Sequence, residues 1–206
     1  MLKQLFSNTR KPRSSLSGNF ILWSMNIGHE KLAKWGLSYL DIREKESILD
    51  VGCGGGKNIS NFLETARHAR VYGVDYSGAS VEKSKAFNRK AIEEGRAKVI
   101  QASVEKLPFD NESFDLVTAF ETIYFWPDLS NNFREIYRVL RNGGTFLVCN
   151  EISTHEEAEK WIKYVDMSVF TGDQIVEKMK NSGFENVMIY EHSNSKWVCV
   201  IGVKCN

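Results

Sequence analysis

The hydrophobic residues of this chain recur at two different spacings, and the two spacings alternate along the sequence. The apolar runs of strand length cover residues 47–52, 70–75, 97–102, 114–120 and 144–150. After the first run, Ile59, Phe62, Leu63 and Ala66 repeat every three or four residues, which is typical of an amphipathic helix. Strands that alternate with helices predict an α/β fold in which a parallel sheet has helices on both faces.

The second half of the chain continues this alternation and then changes it. Further helices are predicted over residues 78–94, 129–140, 155–165 and 171–182. The Asn-Gly-Gly sequence at residues 142–144 predicts a stop and a turn before the fifth strand. Two apolar segments, 184–191 and 196–203, are separated by the turn-rich residues 192–195, which predicts an antiparallel hairpin.

The beginning of the chain differs from the rest in composition. Residues 1–18 are polar, basic and rich in serine, and we predict that they form a mobile arm. Residues 19–40 carry apolar side chains at helical spacing, which predicts one or two helices ahead of the first strand. We therefore expect one domain over residues 19–206, with its core in residues 46–206. For the helical residues nearest the core, packing on the sheet is an equal alternative to a lid over a ligand.

The composition argues against several classes of partner. The 27 basic and 26 acidic residues leave a net charge of +1, which does not favour a nucleic-acid partner. No apolar run reaches the ~18 residues that a membrane helix needs, so no membrane partner is expected. The four cysteines show no metal-ligand spacing, and unpaired thiols in a domain of 206 residues favour a cytoplasmic protein without a metal site.

The most informative stretch is the glycine-rich turn after the first strand. Residues 48–57 read Ile-Leu-Asp-Val-Gly-Cys-Gly-Gly-Gly-Lys. Because glycine lets the backbone approach a ligand closely, this turn predicts a nucleotide-type cradle at the end of a parallel strand. Asp75 follows Gly52 by 23 residues, near the ~20 residues expected for an acid that binds ribose hydroxyls. The turn reads G-x-G-x-G, whereas dinucleotide-binding proteins have G-x-G-x-x-G.

Five segments in this order resemble the motifs of the class I S-adenosylmethionine-dependent methyltransferases. They are the glycine-rich turn and residues 74–77, 103–109, 113–117 and 138–144. The resemblance implies a Rossmann-like, seven-stranded, mostly parallel sheet with the strand order 3-2-1-4-5-7-6. It also implies a helical lid at residues 19–40 and S-adenosyl-L-methionine as the cofactor.

The same resemblance assigns cofactor-binding roles at the carboxyl ends of the strands. An acid at the position of Asp50 lies near the methionyl amino group in this family, and Asp75 would accept hydrogen bonds from two ribose hydroxyls. Tyr76 would cover a face of the adenine, and Cys53 is expected to fill space within the loop. The predicted cofactor-binding residues are Asp50, Gly52, Cys53, Gly54, Asp75, Tyr76, Ser103, Val104 and Phe120.

One of these positions departs from the family pattern. The family commonly has Gly-Asp-Ala where this chain has Ala102-Ser103-Val104. A serine hydroxyl can still accept a hydrogen bond from the adenine amino group, and the Val104 amide can donate one to the ring.

The catalytic candidates are Glu121, Tyr124 and His29. Glu121 ends the fourth strand beside aromatic residues, where desolvation raises the pKa of a carboxyl and provides a usable base near neutral pH. Tyr124 and His29 are the competing candidates. A soft acceptor such as a thiolate would need no base.

We expect an enzyme that transfers a methyl group from S-adenosylmethionine to a small-molecule acceptor by in-line displacement. The aromatic residues of the segment 120–127 suit a small, partly apolar acceptor. Two alternatives are a methyltransferase that acts on RNA or protein, and a non-catalytic S-adenosylmethionine-binding regulator.

Overall fold

The structure is a computed structural model, and it describes residues 30–42, 47–162, 166–193 and 197–205. The predicted basic arm at residues 1–18, the first part of the predicted lid and His29 lie outside the described residues.

Strands and helices alternate through most of the described part of the chain. The strands are β1 Ser47–Val51, β2 Arg70–Asp75, β3 Ala97–Gln101, β4 Phe114–Phe120, β5 Leu140–Asn150, β6 Phe184–Glu191 and β7 Val198–Lys204. The helices are α1 Glu30–Leu37, α2 Lys57–Thr65, α3 Gly78–Phe87, α4 Arg89–Glu93, α5 Leu129–Val139, α6 His155–Ile162 and α7 Gly172–Asn181. A short 3₁₀ helix, Ile123–Phe125, connects β4 to α5.

The strands form one sheet in the order β3-β2-β1-β4-β5-β7-β6, which confirms the predicted fold class. Neighbouring strands from β3 to β5 pair in parallel, whereas β7 is antiparallel to both β5 and β6. The last two strands are therefore the predicted hairpin. Because β1 to β5 all run in the same direction, their carboxyl ends meet at one edge of the sheet.

Helices cover both faces of the sheet and bury a separate apolar cluster on each. Ile59 and Phe62 of α2 are fully buried in the cluster that also contains residues of α1 and α3. Phe133 and Ile136 of α5 are fully buried in the other cluster, together with residues of α7. We call this second cluster the α5/α7 core.

Helix α1 packs on the sheet. Leu32 and Ala33 are buried in the cluster on that face. Gly36 lies so close to β5 that a Cβ atom there would be 2.8 Å from the Sγ of Cys149. For residues 30–37 these contacts favour the sheet-packing alternative over a lid.

Two predicted boundaries were wrong for reasons that lie in tertiary contacts. The helix predicted over residues 78–94 is interrupted at Asn88, because the Asn88 side chain donates hydrogen bonds to the carbonyls of Gly56 (2.9 Å) and Ser84 (3.0 Å). Strand β5 begins at Leu140, four residues earlier than predicted. Its pairing with β4 shifts in register between Leu140 and Thr145, so the expected turn at residues 142–144 is an irregularity within the strand.

Candidate active site

The carboxyl ends of β1, β2 and β4 bring the predicted polar residues together. Asp50 lies beside Gly73 of β2 and Thr118 of β4, which are its partners in the sheet. Asp75 is the last residue of β2, and Glu121 directly follows β4. The structure therefore places three carboxyl groups along one edge, as the strand pattern predicts.

The glycine-rich turn is hydrogen-bonded to the neighbouring strand β2. The backbone N–H groups of Gly52 and Cys53 both donate to the carbonyl of Val74, at 2.8 and 3.0 Å. Gly52 has a φ of 79°, and a Cβ atom there would lie 2.7 Å from the Cβ of Thr122. Gly52 is therefore required by the packing of the loop after β4.

Gly54 differs from Gly52 in the space around its Cα atom. Its φ is also positive, at 51°, but a Cβ atom built there would meet no atom of the described residues within 4 Å. The backbone at Gly54 thus forms an open floor beside the acid at the end of β2. An open floor of this kind fits a bound nucleoside such as that of S-adenosylmethionine.

Asp75 is positioned by backbone hydrogen bonds to both of its carboxylate oxygens. Oδ2 accepts from the Gly54 N–H at 2.9 Å and Oδ1 accepts from the Ser77 N–H at 2.8 Å. Burial raises the pKa of this carboxyl, and the hydrogen bonds from Ser77 and Gly54 act in the opposite direction. The Ser80 side chain also hydrogen-bonds to this carboxyl. Because a carboxylate has about four acceptor positions, the Asp75 carboxylate retains capacity for a ribose hydroxyl.

The predicted adenine-binding residues differ in exposure. Tyr76, next to Asp75, is 57% exposed. The Ser103 hydroxyl donates to the Glu105 carboxylate at 3.0 Å and accepts from the Glu105 N–H at 3.3 Å. One acceptor position of the Ser103 oxygen remains. Val104 is buried beneath this turn.

Asp50 is a buried acid whose carboxyl accepts a hydrogen bond from a neutral side chain. Only 2% of the residue is exposed, and its Oδ1 accepts from the Thr118 hydroxyl at 2.8 Å. Burial raises the pKa of the Asp50 carboxyl to about 7, against the effect of the Thr118 hydrogen bond. Sequence reasoning missed Thr118, although a threonine within the apolar residues 116–120 of β4 was a signal for it.

Glu121 follows β4 in a strained backbone conformation with a φ of 55°. Its N–H donates to the Cys149 carbonyl at 3.0 Å, and its Oε1 accepts from the Glu151 N–H and from the Tyr124 hydroxyl. Burial raises the pKa of the Glu121 carboxyl to about 8, although the hydrogen bond from Glu151 lowers it. The arrangement provides a carboxyl group that can accept a proton near neutral pH.

Tyr124 is fixed between two segments of backbone. Its hydroxyl accepts from the Ile152 N–H at 3.0 Å and also lies 3.0 Å from the Ile152 carbonyl oxygen. Burial raises the pKa of this phenol well above its usual value. These contacts favour a role for Tyr124 in positioning Glu121.

Two of the predicted cofactor-binding residues contribute packing through their side chains. The Cys53 side chain is buried against Gly73, and burial raises the pKa of its thiol well above the usual value, which fits the expected filler. Phe120 is 8% exposed and lies against Gly36 of α1.

Two further searches cover only the part of the chain that the structure describes. There, no three histidine, cysteine or acidic side chains are arranged to hold a metal ion. In the same residues, no helix has the length and apolar character needed to cross a membrane.

The fold and the site together define the class I S-adenosylmethionine-dependent methyltransferases, whose cofactor is S-adenosyl-L-methionine. Residues 49–148 match the family model described as a methyltransferase domain. This match and the relatives named as methyltransferases support an S-adenosylmethionine-dependent methyltransferase of class I.

Individual relatives are distant. The chain is 26% identical over 165 residues to the uncharacterized methyltransferase YdaC of Bacillus subtilis. The aligned residues cover 80% of this chain and 86% of YdaC. It is 26% identical over 175 residues to the chloroplastic 2-methyl-6-phytyl-1,4-hydroquinone methyltransferase of Arabidopsis thaliana, covering 85% of this chain but only 49% of that protein.

Among solved structures, the geranyl diphosphate C-methyltransferase of Streptomyces coelicolor has a similar fold. It superposes with a TM-score of 0.71 at 15% identity, covering 84% of this chain and 76% of that protein. At this identity the likeness concerns the fold alone.

Proposed function

We propose that this enzyme transfers a methyl group from S-adenosylmethionine to a small-molecule acceptor. One observation carries the proposal: the open floor at Gly54 lies beside Asp75, whose carboxylate accepts from the Gly54 N–H and retains capacity for further hydrogen bonds. S-adenosylmethionine supplies a methyl group that is already activated by its sulfonium. The protein then has to hold the two reactants in line and exclude water.

Different residues around the cradle bind different parts of the cofactor. Asp75 binds the ribose hydroxyls, and the exposed ring of Tyr76 covers the adenine. Asp50 attracts the methionyl amino group, because a nearby cation favours the ionised form of a carboxyl. Ser103 and Val104 bind the edge of the adenine.

On the acceptor side, Glu121 receives the proton that the acceptor loses. Its carboxyl is fixed by the Glu151 N–H and the Tyr124 hydroxyl, so the chain holds the base in one orientation. The strained φ of 55° at Glu121 is consistent with a position selected for function. His29, which lies outside the described residues, remains a competing candidate for the base.

The size and polarity of the acceptor are inferred from the residues near Glu121 and from the relatives. Tyr124 is buried beside the end of β4 and Trp126 packs in the α5/α7 core, so the surroundings of Glu121 are largely apolar and suit an acceptor with an apolar body. The Arabidopsis relative is named for a prenylated hydroquinone, and the Streptomyces structure for geranyl diphosphate. Both names describe small molecules with a large apolar part.

The test is incubation of the purified protein with methyl-labelled S-adenosylmethionine and a fractionated small-molecule extract, followed by identification of the labelled product. Total RNA and a protein extract serve as parallel acceptors. Label in a small-molecule fraction alone supports the proposal. Label only in RNA or protein would contradict the proposed acceptor class, and cofactor binding without transfer to any fraction would favour a non-catalytic regulator.

A further inference from the structure

Asn150, the last residue of β5, is a buried amide. The residue is fully buried, and within the part of the chain that the structure describes neither its Nδ2 nor its Oδ1 has a hydrogen-bond partner. Buried polar side chains are nearly always paired, because an orphaned amide has lost its hydrogen bonds to water without replacement. An amide left orphaned in the free protein therefore suggests a partner that arrives from outside.

The sheet pairing shows which face of β5 this amide occupies. Side chains alternate along a strand, and Phe146 and Val148 both belong to the α5/α7 core. Asn150 continues that series, and its cross-strand partner Val198 belongs to the same core. The amide thus lies at the carboxyl edge of the sheet, on the α5/α7 face and next to apolar side chains.

The same amide lies next to the residue proposed as the base. Glu121 hydrogen-bonds to the two residues of the chain that flank Asn150: its N–H donates to Cys149 and its carboxyl accepts from Glu151. The Tyr124 hydroxyl is bonded to Ile152, two residues beyond Asn150. Asn150 is therefore at the acceptor side of the proposed reaction.

Two loop segments adjoin this end of β5. Residues 151–154 follow it directly, and residues 166–170 are joined to this region by a hydrogen bond from the Ser168 N–H to the Tyr124 carbonyl. Both segments lie outside helices and strands.

We propose that Asn150 recognises a hydroxyl group of the methyl acceptor, an inference that rests on the proposed function. A primary amide has two N–H donors and a carbonyl acceptor. A hydroxyl is the smallest neutral group that can both accept from the N–H and donate to the carbonyl. A carboxylate would leave the carbonyl unpaired, and an ammonium would leave the N–H groups unpaired. The substrate class is therefore an alcohol or phenol with an apolar body.

This arrangement makes the hydroxyl a determinant of specificity. An analogue without the hydroxyl proton would leave the Asn150 carbonyl orphaned in the complex. Sites built to hydrogen-bond a hydroxyl reject analogues that lack it far more strongly than apolar pockets distinguish size.

The experiment compares two probes that differ in one group, 4-propylphenol and its methyl ether 4-propylanisole. Calorimetric titration into the protein saturated with S-adenosylhomocysteine gives the affinity for each. We expect wild type to bind the phenol at least about tenfold more tightly, and Asn150→Leu to reduce that ratio to within about twofold. The affinity of the variant for S-adenosylhomocysteine should stay unchanged, and its Tm should not fall, because the substitution removes an orphaned amide.

Asn150→Val provides a second apolar replacement, and Thr145→Val is the matched control, since Thr145 is a buried polar residue in the middle of β5. The control should keep the phenol preference. Equal affinities of wild type for the two probes, or a preference that persists in both Asn150 variants, would overturn the proposal. Loss of folding in both variants would overturn it too, since the amide would then have a structural role.

The outcome is separable from that of the proposed function. A phenol preference that depends on Asn150, without methyl transfer to any small molecule, would contradict the proposed function and support the hydroxyl subsite. Methyl transfer by an enzyme with no phenol preference would contradict the subsite alone.

Discussion

Asp50 and Glu121 are carboxyl groups whose charge depends on what is bound beside them. Burial raises the pKa of Asp50 to about 7 and that of Glu121 to about 8. At neutral pH the Glu121 carboxyl of the free protein is therefore mostly protonated, and the Asp50 carboxyl is protonated about half of the time. A bound cation stabilises the ionised form of a nearby carboxyl, so cofactor binding and proton release are linked.

For Asp50 this linkage predicts a pH-dependent affinity. Below pH 7 a proton must leave Asp50 before it can pair with the methionyl amino group, so the affinity of wild type for S-adenosylmethionine should rise about tenfold per pH unit up to pH 7. Asp50→Asn should bind more weakly above pH 7 and show a flatter dependence. Calorimetry between pH 5.5 and 8 measures both properties.

The control for that experiment is Asp75→Asn, which weakens the ribose contact that we propose for Asp75. We expect it to lose roughly 1.5–3 kcal/mol of binding free energy, the usual range for a hydrogen bond to a charged group, while the pH dependence of Asp50 remains. An unaltered slope in Asp50→Asn would show that Asp50 is not the titrating group.

For Glu121 the raised pKa predicts a pH-dependent stability. Between its usual pKa of 4.5 and about 8 the group is neutral in the folded state and ionised in the unfolded state, so folding requires proton uptake and stability falls as pH rises through this window. Glu121→Gln should stabilise the free protein by roughly 1–3 kcal/mol at pH 8 and by much less at pH 5. Urea unfolding at the two pH values measures the difference, and an equal effect at both would contradict the assigned cause.

The catalytic prediction for the same substitution concerns the rate. If Glu121 is the base, the single-turnover rate of wild type should rise with pH towards about 8, and Glu121→Gln should lower it about 10²–10⁴-fold with cofactor affinity preserved. A loss of cofactor binding instead would make Glu121 a methionyl contact. No change in either property would leave it a structural residue.

At the scale of elements, the β1–α2 turn contains two glycines, Gly52 and Gly54, whose similar sequence context hides different surroundings. Both Gly52 and Gly54 have positive φ, so alanine is strained at either position. Gly52→Ala also collides with Thr122 and should lose several kcal/mol of stability, whereas Gly54→Ala faces open space and should lose roughly 1 kcal/mol. Thermal unfolding and calorimetry with S-adenosylmethionine distinguish the two.

The expected signature of Gly54→Ala is a folded protein with weakened cofactor affinity, because the added methyl group occupies the floor of the cradle. Gly52→Ala serves as the control for backbone strain. Full cofactor affinity in Gly54→Ala would contradict the placement of the ligand over this residue.

The elements and the cradle could be predicted because their signals are local. Apolar periodicity marks the strands, and turn residues mark their ends, so Asp50, Asp75 and Glu121 were placed at the sheet edge from sequence. The break at Asn88 could not be predicted, since it depends on a hydrogen bond to Gly56, 32 residues away. The same holds for Asn150, which reads as a strand end and becomes notable only through its burial.

At the scale of the whole molecule, an aromatic cluster packs the α1 region against the ends of β6 and β7. Trp35 of α1 has ring centroids 5.4 Å from His192 and 5.9 Å from Trp197, and Tyr39 stacks on Tyr190 at 3.9 Å. These contacts join the first described helix to the last two strands.

Removal of the central ring should loosen that connection. Trp35→Ala should destabilise the protein by roughly 1–3 kcal/mol, because one ring contacts several aromatic partners, whereas Lys31→Ala on the exposed face of α1 should have little effect. Urea unfolding measures both variants. Equal stability of the two variants would show that the cluster contributes little to holding α1 on the sheet.

The strand order also governs how the chain can assemble during synthesis. β6 is made before β7, yet it joins the sheet only through β7, which lies between β5 and β6. When β1 to β6 have left the ribosome and β7 has not, the sheet therefore has an unpaired edge at β5. At this stage β6 also lacks the strand with which it pairs. The final seven-residue strand must insert between two earlier ones, so closure of this sheet waits for the end of translation through β7.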